Sequence, residues 1–241
     1  MTLDALAFGA HPDDIELSIG GTLAKIAAGG HAVGVVDLTR GELGTRGTPQ
    51  IRAREAKKAA QILNLKIREN LGLPDGGVDT GSAARLKVIR VLRKHRPMII
   101  LIPHWDDPHP DHANAGRLIA DAAHHAGLAK IQTGQERFRP KAILYYMLPP
   151  EVRPTFIVDV SAFYEKRDAA IRVHQSQLYN PKLPPDTYLS RPDFLAGVDA
   201  VISYYGTLIG RPKGEAFYMK APPEIPDLVD FFRKQGERRL R

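Results

Sequence analysis

Apolar residues recur along this chain in two alternating rhythms. Leu3 to Phe8, His31 to Leu38 and Met98 to Pro103 are short runs rich in apolar residues that read as strands, and a short strand is also expected from Lys66 to Leu71. Between them the apolar positions take helical spacing: Ile19, Leu23, Ile26 and Ala27; then Ala56, Ala59, Ala60 and Leu63; then Leu86, Ile89 and Leu92, ending near His95. After the fourth run come Ala115, Leu118, Ile119 and Ala122, with Gly127 as a stop. Met98 to Ile102 is apolar without a break, as in a strand buried on both faces. The alternation predicts an α/β fold, a mostly parallel sheet flanked by helices through right-handed crossovers.

The remainder is less regular. Ala142 to Tyr146, Thr155 to Val160 and Glu215 to Met219 read as strands; Ser161 to Ser176 and Asp193 to Leu208 read as helices. Prolines crowd a loop from Pro181 to Pro192, and Pro222 to Arg241 reads as a peripheral helix. No repeat, low-complexity stretch or linker interrupts the chain, so 1–241 is expected to form a single domain.

Parallel sheets of this kind bind ligands beyond the carboxyl ends of their strands. Two of those ends carry unusual chemistry. The first strand runs into Ala10-His11-Pro12-Asp13-Asp14, the fourth into Asp106-Asp107-Pro108-His109-Pro110-Asp111-His112. Acids at a helix start are favoured by the helix dipole, which leaves the histidines unexplained. Two such turns at one edge can converge on one crevice. Other site signatures are missing: no Gly-x-Gly-x-x-Gly follows the first strand, and there is no Walker motif or Gly-x-Ser-x-Gly elbow. Gly20-Gly21 comes too late, inside a helix, where close packing is the expected reason.

Composition narrows the chemistry. The 241 residues are 43% hydrophobic and 25% charged, ordinary for a soluble globular protein. No apolar run reaches the ~18 residues that span a bilayer. The first residues lack a secretory pattern, so the cytoplasm is the expected compartment. With no cysteine, disulfides, Fe–S clusters, thiolate zinc sites and cysteine nucleophiles are excluded, and any metal must sit on His, Asp or Glu. The net charge of +7 raises nucleic acid as a partner. The basic residues are dispersed, however, apart from Arg233-Lys234, Arg238-Arg239 and Arg241, and a nucleic-acid module would leave both His/Asp turns without a purpose. A positive field around a site for a small anion fits the charge equally well.

His11 and Asp14 with His112 supply two imidazoles and a carboxylate, a catalytic zinc set with one position open for water. Asp13, adjacent to a ligand, is placed to take a proton from that water. His109 can face the same cavity, and Asp111 could hydrogen-bond its ring and keep it charged. The same residues also allow a non-haem iron triad through His11-x-Asp13 and His112; spacing does not separate the two. Among the other histidines, His31, His95, His124 and His125 are expected to bind no metal, His104 can line the cleft, and His174 can approach from the C-terminal part.

Ala10 to Asp14 together with His109-Pro-Asp-His112 resembles the PIG-L (LmbE-like) family of zinc-dependent N-acetylglucosaminide deacetylases. Asp37 to Glu42, the loop to Gly47, Pro74-Asp75-Gly76-Gly77 and His174-Gln-Ser-Gln177 resemble the branch acting in bacillithiol biosynthesis. The resemblance implies a Rossmann-like fold and Zn2+ on His11, Asp14 and His112. It implies Asp13 as general base and later acid, with His109 as a charged oxyanion partner oriented by Asp111. Arg52 resembles the arginine that contacts the sugar. Some members place a tyrosine near the oxyanion; here the corresponding position is Phe194, with Tyr188 nearby, and neither is given that role. Glu16 is expected to belong to the helix start. The implied substrate is N-acetylglucosaminyl malate, with another GlcNAc conjugate or a chitooligosaccharide as the alternative, and relatives suggest a homohexamer. Arg46 and Arg52 are the arginines expected to meet the malate carboxylates.

Overall fold

The computed structural model describes residues 2–184 and 186–233. Five parallel strands, β1 (Ala5–Gly9), β2 (Val33–Thr39), β3 (Ile67–Leu73), β4 (Ile99–Pro103) and β5 (Ala142–Tyr146), form one sheet in the order β3-β2-β1-β4-β5. The helices are α1 (Asp14–Ala28), α2 (Pro49–Ile62), α3 (Ser82–His95), α4 (Pro110–Ala126), α5 (Tyr164–Arg172), α6 (Phe194–Leu208) and α7 (Leu228–Arg233). The winding reverses between β1 and β4, which opens a crevice at their carboxyl ends.

Every residue of β1 and β2 is buried, because side chains alternate between two covered faces. Leu6, Phe8, Val36 and Ile100 pack against Ile89 and Leu92 of α3 and Leu118 and Ile119 of α4. Ala5, Ala7, Val33 and Leu101 pack on the other face against Ile15, Ile19 and Leu23 of α1, together with Phe217. Ala59 of α2, Leu63 just after it and Ala170 of α5 close over Ala24 of α1.

The C-terminal part departs from the sequence expectations. The strand expected over Glu215 to Met219 forms, but outside the main sheet. Instead β7 (Gly214–Phe217) pairs antiparallel with β6 (Phe156–Asp159), and a lone bridge between Tyr145 and Tyr218 ties this ribbon to β5. The helix expected from Ser161 to Ser176 is a 3-10 turn, Ser161–Phe163, followed by α5, which ends at Arg172. Beyond it the chain turns so that Ser176 donates to Glu55 from both its amide and its hydroxyl, at 2.8 and 2.7 Å. Of the helix expected over Pro222 to Arg241, α7 forms; Lys234, Arg238, Arg239 and Arg241 lie outside the described residues. No helix among the described residues is long and apolar enough to cross a membrane.

One irregularity lies in α1, the helix that Asp14 opens. α1 breaks at Ile19 (φ −137°). The amides of Gly21 and Thr22, beyond the break, donate to the buried Glu215 carboxylate at 2.9 and 2.7 Å, while Arg167 donates to the Leu17 carbonyl. A Cβ at Gly21 would come within 2.8 Å of Val160 and 2.9 Å of Glu215, the close packing expected of this pair of glycines. Gly21→Ala is therefore expected to cost ~1–3 kcal/mol of stability, the scale for an overpacked contact. Urea denaturation checks this, and an unchanged midpoint would remove the close-approach explanation.

Candidate metal centre and active site

The two His/Asp turns leave neighbouring strands, so the sheet itself brings them together. After β1, the His11 amide donates to Asp14 Oδ2 at 2.8 Å, which holds the carboxylate over the first turn of α1. After β4, His109 is the N-cap of α4 and Pro110 opens the helix, a position where its missing N–H costs nothing. His112 then falls in the first turn and points back at α1. One donor atom each from His11, Asp14 and His112 lies within 4.8 Å of the others.

Hydrogen bonds assign the ring nitrogens. His11 Nε2 is 3.0 Å from Asp75 Oδ1, leaving Nδ1 on the Asp14 side, 3.7 Å from Oδ2. His112 Nδ1 is 3.1 Å from Asp107 Oδ1, leaving Nε2 3.4 Å from Asp14 Oδ1. Each histidine thus has one nitrogen tied to a carboxylate and one free for a cation. A second cluster, His11 with Asp75 and Asp111, shares the first histidine. There the Asp111 oxygens already accept the Gly76 and Val78 amides at 2.8 and 3.2 Å.

The acids dominate the electrostatics around the two rings. Burial pulls both rings down, but the acids outweigh it: Asp14 and Asp75 hold His11 up at about 11, and Asp14 and Asp107 hold His112 up at about 10. Burial would raise the Asp14 carboxyl; His112 and His11 reverse that and keep it well below the usual carboxylate range.

Asp13 is directed elsewhere. Its Oδ1 accepts from Arg52 Nη2 at 3.0 Å, and both side chains line a cleft of about 810 Å³ that also holds His11, Asp14, His109 and His112. Asp14, and not Asp13, therefore lies with the two histidines. Arg52 Nη1 donates to the Gly41 carbonyl at 3.2 Å. Gly41 is in the left-handed region (φ +64°), and a Cβ there would come within 1.9 Å of that guanidinium.

Three expected residues stand differently. Asp111 does not hold the His109 ring: its carboxylate faces the Gly76–Val78 backbone and His11 (3.4 Å), and it is the Asp111 amide that donates to His109 Nδ1, at 3.2 Å. Burial, then His112 and His11, pull His109 down against the opposing effect of Asp111. Arg46 turns away from the cleft, donating to the Leu178 carbonyl at 3.1 Å and lying 3.8 Å from Asp186. It fastens the loop after β2 to the proline-rich loop. His104 is buried beneath the second turn, stacked on Trp105 with ring centroids 4.0 Å apart, and does not line the cleft.

The remaining histidines serve the scaffold. His31 lies 3.8 Å from Asp4, His95 Nε2 is 2.9 Å from Glu69, and His125 meets the Asp121 carbonyl. His174 is buried 3.4 Å from Glu16, which itself is in the core on Arg68 and not among the donors. Tyr188 and Phe194 both line the cleft, edge to face at 5.3 Å.

Sequence reasoning passed over Asp75 and Asp107 as site residues. Asp75 orients His11 with one oxygen and accepts the Leu43 amide at 2.8 Å with the other, tying the Thr39–Thr48 loop to the site. Its signal was the Pro74-Asp75-Gly76-Gly77 turn, whose function no local pattern reveals.

Residues 6–123, which carry both turns, match the family described as PIG-L, GlcNAc-PI de-N-acetylase. A diacetylchitobiose deacetylase of Thermococcus kodakarensis is 30% identical to the chain, covering 85% of it and 78% of that relative. The chain belongs to the PIG-L family. Another relative of this PIG-L protein is the 1D-myo-inositol 2-acetamido-2-deoxy-alpha-D-glucopyranoside deacetylase of Thermomonospora curvata, 28% identical over 86% of this chain and 90% of its own. Among solved structures, the conserved protein TT1542 from Thermus thermophilus superposes with a TM-score of 0.85 at 38% identity, over 93% of this chain and 98% of that one. The α/β sheet with its flanking helices is thus the fold of this family.

Proposed function

We propose that this PIG-L protein is a zinc-dependent hydrolase that removes the N-acetyl group from an N-acetylglucosaminide. The observation that carries the reading is the division between adjacent aspartates: Asp14 joins His11 and His112, while Asp13 faces the cleft beside Arg52. The donor set suits zinc, with two imidazole nitrogens, one carboxylate and carboxylate partners behind both rings. When bound, zinc supplies a Lewis acid that acidifies water and polarises an amide carbonyl.

The chain's own residues do the rest. Asp13 takes the proton of the attacking water and returns it to the departing amine nitrogen. Arg52 fixes the direction of that carboxylate through a charge-assisted hydrogen bond. His109, with Nδ1 accepting from the Asp111 amide, has Nε2–H left to donate to the carbonyl oxygen as negative charge develops there. The names of the relatives support an acetamido sugar as the group attacked.

N-acetylglucosaminyl malate contains the same scissile bond. Of the two arginines expected to meet its carboxylates, Arg46 faces away from the cleft, and Arg52, the one arginine or lysine that lines it among the described residues, is engaged by Asp13. The malyl glycoside is therefore one aglycone to be compared with others. The homohexamer implied by the resemblance belongs to the same reading and is tested by sedimentation velocity.

The test is direct. Zinc-loaded protein is incubated with N-acetylglucosaminides, and free amine and acetate are measured. Equimolar release of both is expected, with one zinc per chain. Oxygen consumption with iron and no amine release would instead favour an oxygenase on the same residues.

Two variants probe the supports. Asp75→Asn should weaken zinc affinity by ~10–100-fold, the usual effect of losing a partner behind a ligating histidine, as read by chelator competition. Gly41→Ala should push Arg52 off Asp13 and lower kcat by ~10²-fold, the scale of a misplaced catalytic group, with zinc content unchanged. Wild-type turnover in Gly41→Ala would show that Arg52 does not aim the base.

A further inference from the structure

α6 commits little of its apolar face to the core. Only Ile202 and Gly206 are buried in it. Yet Phe194, Val198, Val201, Ile202 and Tyr205 recur at helical spacing on one side, and all five line the same cleft as His11 and Asp13. Leu17, Met147 and Leu148 also line it. From 194 to 205 the wall runs about 16 Å at 1.5 Å rise per residue, longer than a single pyranose ring. Much of it faces solvent: Val201 is 54% exposed and Tyr188, beside Phe194, is 68% exposed.

The charged groups of the cleft are already engaged with one another. Asp14, Asp75 and Asp107 face His11 and His112, Glu215 accepts from the Gly21 and Thr22 amides, and Arg52, the one arginine or lysine of the described lining, is engaged by Asp13. A carboxylate-bearing aglycone would find no free guanidinium or ammonium there. An apolar one would find a surface that gains by leaving water. The wall is continuous with the metal end, so a sugar held by Asp13 and Arg52 carries its remaining part along α6. A second copy of the chain seated on this face would obstruct that path.

We propose that the cleft selects glycosides whose non-sugar part is an apolar or aromatic group laid along α6. This rests on the deacetylase reading above and adds the class of aglycone to it.

The experiment compares hexyl, phenyl, methyl and malyl N-acetylglucosaminides of one anomeric form, with zinc-loaded enzyme and released amine as the readout. For the hexyl and phenyl glycosides, kcat/KM is expected to exceed that of the methyl glycoside by ~10–100-fold, the scale for burying one apolar group of this size. The malyl glycoside should be no better than the methyl one. Val201→Asp should compress the hexyl-to-methyl ratio and Val201→Leu should preserve it. Equal rates for hexyl and methyl, or malyl ahead of both, overturn the aglycone class and leave the deacetylase standing. No amine from any of the four overturns both. An unchanged ratio in Val201→Asp with a lowered sedimentation coefficient assigns the wall to a second copy and likewise overturns the proposal.

Discussion

Asp13→Asn is expected to lower kcat by ~10²–10⁴-fold, the scale of one general acid–base group, while the protein keeps its zinc. The amide oxygen of asparagine still accepts from Arg52, so the side chain holds its place, but it has no lone pair basic enough to take a proton from water. The neighbouring change should behave in the opposite way. Asp14→Asn alters the carboxylate that lies within ligand distance of both His11 and His112, so metal and activity should fall together. Zinc content by atomic absorption, measured beside turnover, separates the two. Zinc lost from Asp13→Asn and kept by Asp14→Asn would mean that their roles are exchanged.

The second large effect lies beneath the site. Arg68 of β3 bonds Asp37 at 2.9 and 3.0 Å and Glu16 at 2.5 Å, and both acids are buried. Removing the guanidinium leaves two carboxylates in the interior without their cation. Arg68→Met is therefore expected to destabilise the protein by ~3–5 kcal/mol near neutral pH, the cost of breaking a buried ion pair from one side. The effect has a pH signature. Burial favours the neutral form of Glu16, but Arg68 and then His174 outweigh it and lower its carboxyl from 4.5 to about 2. A depressed carboxyl contributes stability above its unfolded value and loses it as the pH falls through the folded one. The gap between wild type and Arg68→Met should narrow between about pH 4.5 and 2. Asp37 adds nothing of that sign, because burial pushes it up despite the same arginine. Urea denaturation at several pH values reads both features, and a loss under ~1 kcal/mol at pH 7 would mean that water reaches the pair.

The alternation of strand and helix, the parallel sheet and the two chemical turns were legible in the chain. Each is a local pattern: a strand buried on both faces must be apolar at successive positions, and a helix covering it must be apolar every three or four residues. Parallel connection then forces successive strand ends to the same edge, so His11 and His112 could be brought to one crevice by topology alone. The spacing alone left the split between Asp13 and Asp14 open, since His11-x-Asp13 also makes a triad with His112, and only the resemblance implied it. Adjacent residues at a helix start diverge by the geometry of that one turn, and two of their partners, Arg52 and His112, come from other parts of the chain.

The same limit explains Arg46, His104 and Asp111. Each is near a motif in sequence, but a long or planar side chain reaches whichever partner the fold supplies: the Leu178 carbonyl, Trp105 and the Gly76–Val78 backbone. Asp75 is the converse case, an ordinary turn residue until β3 and the turn after it bring it 3.0 Å from His11. The apolar stripe of α6 was visible as periodicity, which by itself reads as a face for the core. Only the packing of α6 over the carboxyl edge of the sheet turned that face toward the cleft, because what an apolar stripe covers depends on what the rest of the chain leaves open beside it.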